Sequence, residues 1–221
     1  MSPRTRVLIG LAAALAAVAA VAAVIGRDDA GGVPETSGEP VRLEVGGRPL
    51  VIPRNAIRFA DQRIAGPQTR IDLALTWPDL EGRTDTTAPR FDTPDQAADI
   101  VHLTIRPRHD AFDSATRLTA VYSRFFVGEP AAGPGGLQAR RLSPKSGYGD
   151  ETVYLEPGAV RPFVARCFPL TPGEPARMCL RDVVHGTLLV TWRFPEALLA
   201  DWHALDAALD TRLTAWGVEV R

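Results

Sequence analysis

From residue 41 onward, apolar and polar positions alternate along much of the chain, and the period of the alternation indicates the elements. Val41, Leu43 and Val45 alternate with polar residues, Gly46-Gly47 interrupts the run, and Leu50 and Ile52 resume it. A Gly-Gly pair between two period-two runs predicts a β-hairpin, because both turn residues can take positive φ. Ile71, Leu73, Leu75 and Trp77 predict a half-buried strand, as do Val101, Leu103 and Ile105. The spacing then becomes helical at Leu118, Val121, Tyr122, Phe125 and Phe126, with Asp113 or Ser114 as the cap and Gly128 and Pro130 as the stop. "GEPAAGPGG" reads as a dividing loop, followed by short strands over 137–142 and 152–155.

The C-terminal third predicts a three-stranded meander over 161–168, 177–184 and 187–194. With His185-Gly186 as the turn, Val183 faces Leu188 and Arg181 faces Val190, so Val183, Leu188, Val190, Trp192 and Phe194 share the core side. Arg181 falls on that same face, where either it finds a carboxylate or the register is wrong. Pro195 suits the first turn of a final helix, on which Leu198, Trp202, Leu205, Leu209, Leu213 and Trp216 recur at spacings of three and four. The expected fold class is α+β: antiparallel sheet packed by two amphipathic helices, preceded by one N-terminal hydrophobic helix.

That first helix covers Val7 to Ile25, nineteen residues without a charge. At about 1.5 Å per residue it nearly matches a hydrocarbon core of roughly 30 Å. Arg4 and Arg6 precede it and Asp28-Asp29 follow, so the N-terminus is expected in the cytoplasm and the body in the periplasm. The segment 1–25 reads as a signal anchor of the inner membrane. Ala20-Val21-Ala22 also fits a cleavage pattern, which would make the segment a signal peptide and the body secreted. Residues 26–40, rich in Gly, Pro, Ser and acid, read as a flexible linker, and 41–221 as a single periplasmic domain.

Of the 221 residues 45% are hydrophobic and 23% charged, the mixture of a folding chain rather than a disordered one. With 25 basic against 26 acidic residues, net charge -1, the chain carries no electrostatic footprint of a nucleic-acid binder.

Cys167 and Cys179 are the only cysteines and fall on the exported side, where thiols oxidise. A hairpin centred on Gly173 sets them opposite one another, which predicts a structural disulfide. The four histidines, His102, His109, His185 and His203, lack the i, i+4 spacing of a zinc site. There is no Gly-x-Ser-x-Gly elbow, no Ser-x-x-Lys pair and no phosphate-cradling glycine motif. No cofactor and no catalytic or metal site is therefore expected. Two segments stand out. "IPRN" ends in Arg54 and Asn55, and "WPDLEG" places Asp79 and Glu81 after a strand, where they can orient a cation or a basic partner or simply build a turn.

"IPRN", "WPDLEG", the Cys167 to Cys179 hairpin and "DWHALDAAL" in the last helix resemble a group of proteobacterial membrane-anchored periplasmic proteins. The resemblance implies export and adds no site. The sequence thus reads as a non-catalytic protein-binding module with a protein partner in the envelope or periplasm and possible contacts at Arg54, Asn55, Asp79 and Glu81. An immunity-type inhibitor of an envelope effector is its concrete form. The alternative is an envelope hydrolase with a carboxylate site near Asp79 and Glu81.

Overall fold

The computed structural model describes residues 35–92, 99–172 and 176–219. The expected anchor and most of the expected linker lie outside them. Among the described residues no helix is long and apolar enough to cross a membrane.

Among the described residues eleven strands form two sheets. β1 (Pro40–Val45) and β2 (Arg48–Pro53) make the expected hairpin, with Gly46 and Gly47 at φ 58° and 79° in the turn. β3 (Gly66–Gln68) adds to β1 in parallel, giving a three-stranded sheet in the order β2-β1-β3. The second sheet is antiparallel throughout and has eight strands. They are β4 (Ile71–Thr76), β5 (Ile100–Pro107), β6 (Phe126–Ala132), β7 (Gln138–Leu142), β8 (Thr152–Leu155), β9 (Val164–Cys167), β10 (Met178–His185) and β11 (Leu188–Pro195). Their order is β4-β5-β11-β10-β9-β8-β7-β6, so β11 inserts beside β5 and joins the two ends of the body's sequence. The helices are α1 (Ala88–Asp92), α2 (Ser114–Ala120) and α3 (Trp202–Ala215).

One face of the large sheet carries the main core. Leu73, Leu103, Ile105, Val190, Trp192 and Phe194 pack there against Val41, Leu43, Leu50 and Ile52 of the small sheet and against Leu205, Leu209 and Leu213 of α3. Each such buried side chain stabilises the fold by about 1.5–3 kcal/mol before conformational entropy is charged against it. The other face is covered at β7 to β9 by a second cluster, in which Tyr122 meets Leu142, Val153 and Val164 with Leu118 and Phe125 around them.

The structure departs from the pattern in three places. The helix over Leu118 to Phe126 is short: Asp113 caps it, accepting from Thr116 N at 2.7 Å, but it ends at Ala120 and Tyr122–Phe125 tighten into a 3-10 turn. Val121 and the aromatic residues lose side-chain freedom in a helix, and the second cluster draws them onto the sheet. Phe126–Ala132 is then the edge strand β6 rather than the start of a loop, and Pro130 and a bulge between Val127 and Ala131 suit an edge. The β10–β11 turn is Gly186-Thr187, with Gly186 at φ 60°, so Val183 pairs with Val190 and Arg181 with Trp192. This register differs from the expected one by two residues, which leaves every side chain on its expected face. Lastly, the final helix opens as a 3-10 turn, Glu196–Asp201, before α3 begins.

Cys167 and Cys179 pair in register across β9 and β10, with Cα atoms 3.9 Å apart, and form the disulfide.

Candidate functional site

The residues singled out in "IPRN" and "WPDLEG" come together, chiefly through backbone. Arg54–Ala56 is a 3-10 turn after β2, and the 77–82 segment follows β4 through a cis Trp77–Pro78 bond. Asn55 Nδ2 donates to Arg83 O at 2.9 Å, while Arg83 N donates to Asn55 O at 2.9 Å. A Cβ on Gly82 would lie 2.6 Å from the Asn55 carbonyl, so only glycine permits the approach. Arg54 Nη1 donates to Arg63 O at 3.2 Å, and Arg212 of α3 donates to Asp79 O at 3.0 Å. The Asn55 side chain therefore ties the two segments together, while that of Arg54 ties its turn to Arg63. Asp79 and Glu81 are exposed, and neither carboxylate has a partner among the described residues. Beside them a shallow groove of about 520 Å³ runs between Pro78–Leu80 and the outer, alanine-lined side of α3.

Arg181, flagged by its place on the core face, does find a carboxylate. Its guanidinium lies 3.1 Å from Asp206 Oδ1 and 4.2 Å from the centroid of the Phe163 ring. It thereby pins α3 to β10. The pin borders a cleft of about 410 Å³ that is also lined by Asp113, Arg161, His185 and Asp210. Desolvation lowers the Arg181 pKa, against the opposing pull of Asp206 and Asp210. Desolvation and the Asp206 charge push Asp210 up to about 6, and desolvation with Arg181 nearby brings His185 down to about 4. His185 is not a turn residue but the buried end of β10, 4% exposed, and its Nε2 has no hydrogen-bond partner among the described residues. The cleft balances three arginines against three aspartates once Arg108 at its rim is counted, so it has no net preference for charge.

A third place has such a preference. On the second face of the large sheet, at β4, β5 and β11, a groove of about 540 Å³ is lined by Arg58, Arg70, Asp72, His102, Thr104 and Arg193, with no helical residue among its walls. Asp72 is buried and fully engaged: Arg70 pairs with it at 2.9 Å, Gln62 Nε2 donates to it at 2.9 Å and Thr104 Oγ1 at 2.7 Å. Arg58 and Arg193 are exposed, and neither guanidinium has a hydrogen bond or ion pair among the described residues. Partial burial lowers the Arg58 pKa, Asp72 opposes this and the Arg193 charge adds to it. Burial, then Arg58 and Arg193, hold His102 down at about 4, so its ring is neutral at physiological pH. The alternation that places His102 off the core face was legible, but the arginine pairing was not, because Arg58 and Arg193 are 135 positions apart in the chain.

Among the described residues no group of three or more His, Cys, Asp and Glu is placed to hold a metal ion. No protein-family model matches the chain, and no curated protein matches it. Among solved structures it is similar to Smlt3025, an immunity protein of the Stenotrophomonas maltophilia type IV secretion system, at 19% identity and a TM-score of 0.56, over 84% of this chain and 98% of that one. It is also similar to the Neisseria meningitidis iron-regulated outer membrane lipoprotein FrpD, at 15% identity and a TM-score of 0.45, over 73% of this chain and 84% of that one. The likeness to Smlt3025 establishes a shared fold.

Proposed function

We propose that the chain is an immunity-type inhibitor, held in the inner membrane by residues 7–25 with its body in the periplasm, which binds a toxic effector of the envelope and blocks it without chemistry of its own. Support comes first from the likeness to an immunity protein over 98% of that protein's length, so that a whole fold rather than a shared motif is matched. The Cys167–Cys179 disulfide fits an oxidising compartment. Asp79 and Glu81, exposed and unpaired on a segment that Asn55 and Arg212 brace, are the contacts this proposal assigns to a basic part of the partner.

The test has two steps. Crosslinking in cells identifies a protein held by the full chain, and that protein is then exported alone to the periplasm of a host lacking the chain. It should arrest growth, and co-production of the chain should restore it. A captured protein that kills equally with and without the chain overturns the inhibitor function. A reporter active only outside the cytoplasm, fused after Arg221, should be active if the proposed topology holds.

A further inference from the structure

We propose that the groove on the second face of the large sheet is a docking surface for an acidic segment of the protein partner, whose carboxylates lie between Arg58 and Arg193. The proposal rests on the binding role above and adds the partner's chemistry at a surface separate from Asp79 and Glu81.

The groove's charge is out of balance. Three arginines, Arg58, Arg70 and Arg193, face one aspartate, and Asp72 already serves Arg70, Gln62 and Thr104. Arg58 feels the charges of both Asp72 and Arg193 and lies 5.1 Å from the Phe59 ring centroid, yet neither arginine makes an ion pair among the described residues. Folding gains little from this arrangement, since the two like charges repel and an unpaired cation contributes no bridge. Elsewhere several arginines take carboxylates, as Arg48 takes Glu219, Arg83 takes Asp92, Arg177 takes Glu196 and Arg181 takes Asp206. A carboxylate from outside would complete the pattern here.

The neighbouring groups set the kind of anion. Guanidinium forks bind planar carboxylates through two parallel hydrogen bonds. His102 lies opposite Arg193 in the cross-strand row, and its buried Nδ1 has no partner among the described residues. Being neutral, it can give or take one hydrogen bond without adding charge. Thr104 continues the polar floor, and Phe59 and Met178 supply apolar edges. A volume of about 540 Å³ accommodates several side chains, which fits a peptide segment better than a single small anion.

The experiment uses the full chain in nonionic detergent, titrated with a deca-glutamate peptide at low salt and followed by NMR of the arginine Nε–H signals. Binding should shift the Arg58 and Arg193 signals and weaken as salt rises. An Arg58→Gln, Arg193→Gln double variant should bind at least tenfold more weakly with an unchanged melting temperature, and an Arg58→Lys, Arg193→Lys variant should fall in between. Deca-lysine should not bind. Failure of deca-glutamate to bind, equal binding by the glutamine variant, or equal competition by sulfate or by a ten-nucleotide DNA strand at the same charge concentration overturns the proposal. In the growth assay, a glutamine variant that protects as well as the unaltered chain sinks this docking surface and leaves the inhibitor function standing. Loss of protection by the unaltered chain does the reverse.

Discussion

Arg166 and Arg193 lie in one cross-strand row of the large sheet with Leu180 between them, and they meet opposite surroundings. Arg166, on the half covered by the Tyr122 cluster, pairs with Glu151 and lies 5.2 Å from the Tyr148 ring centroid and 4.9 Å from that of Phe168. Arg193, on the half outside that cluster, is exposed, and its guanidinium has no hydrogen bond or ion pair among the described residues. The same side chain therefore does two jobs on one surface. In the covered half its charge is neutralised and its stem packs, so the fold depends on it. In the uncovered half its charge is left for something else, and removing it should leave the fold intact.

The largest effect should come from the bridge at β9 and β10, where the covered half is tied to the strands that carry the groove. A Cys167→Ser, Cys179→Ser variant should lose about 2–5 kcal/mol in urea melts, in line with loss of a native bridge from an exported domain. Its folded fraction should keep partner binding. If that fraction binds nothing, the disulfide has a role beyond structure. A smaller loss, about 2 kcal/mol, is expected for Arg166→Gln, because it leaves the Glu151 carboxylate half-buried without its cation. A change below about 0.5 kcal/mol there would erase the contrast with Arg193.

Much of the fold was legible where the pattern is local. The Gly46-Gly47 hairpin, the two strands before α2 and the meander with its disulfide follow from alternation and turn chemistry within short stretches. The slip at Gly186 did no harm, because a shift of two residues preserves the face. The end of α2 was not legible, since Val121, Tyr122, Phe125 and Phe126 suit a helical stripe equally well and only the surface they bury against decides the outcome. The site was less visible than the fold. "IPRN" and "WPDLEG" were recognisable as segments, but that they brace one another depends on a contact between residue 55 and residues 82 and 83. The groove depends on four strands and the segments around Arg58, Arg70 and Ala176, which only the sheet order brings together.

An effect of intermediate size separates the pinned cleft from the groove by its pH dependence. Asp210 holds its proton up to a pH of about 6 when folded. The native state therefore binds more protons than the unfolded chain between about 4 and 6, and stability from this group falls as pH rises through that window. Asp210→Asn should thus stabilise the protein at pH 7, by about 1 kcal/mol after allowance for the carboxylate's partial exposure, and change little below about pH 4. His185 and His102 act in the opposite sense, being held near 4, so their contribution is present above about 6.5 and lost as pH falls toward 4. Melts of both forms across pH 4 to 8 check the sign. A gain from Asp210→Asn that is the same at pH 4 and pH 7 would point to packing rather than charge.

The smallest expected effect on stability is the most telling for the comparison. Arg193→Gln should shift the unfolding free energy by no more than about 0.5 kcal/mol, the range of surface substitutions that break no cap, core contact or ion pair. It removes no hydrogen bond or ion pair from the described residues, and it relieves Arg58 and His102 of a neighbouring positive charge. The shift should therefore lean toward stabilisation at low salt and disappear as salt screens the repulsion. The His102 pKa should rise from about 4 in the same variant, because one of the two cations that depress it is gone, and NMR titration of the ring reads that directly. If Arg193→Gln instead costs as much as Arg166→Gln, Arg193 has a stabilising partner in the folded chain. The uncovered half would then be one more packed surface with no charge left over for a partner.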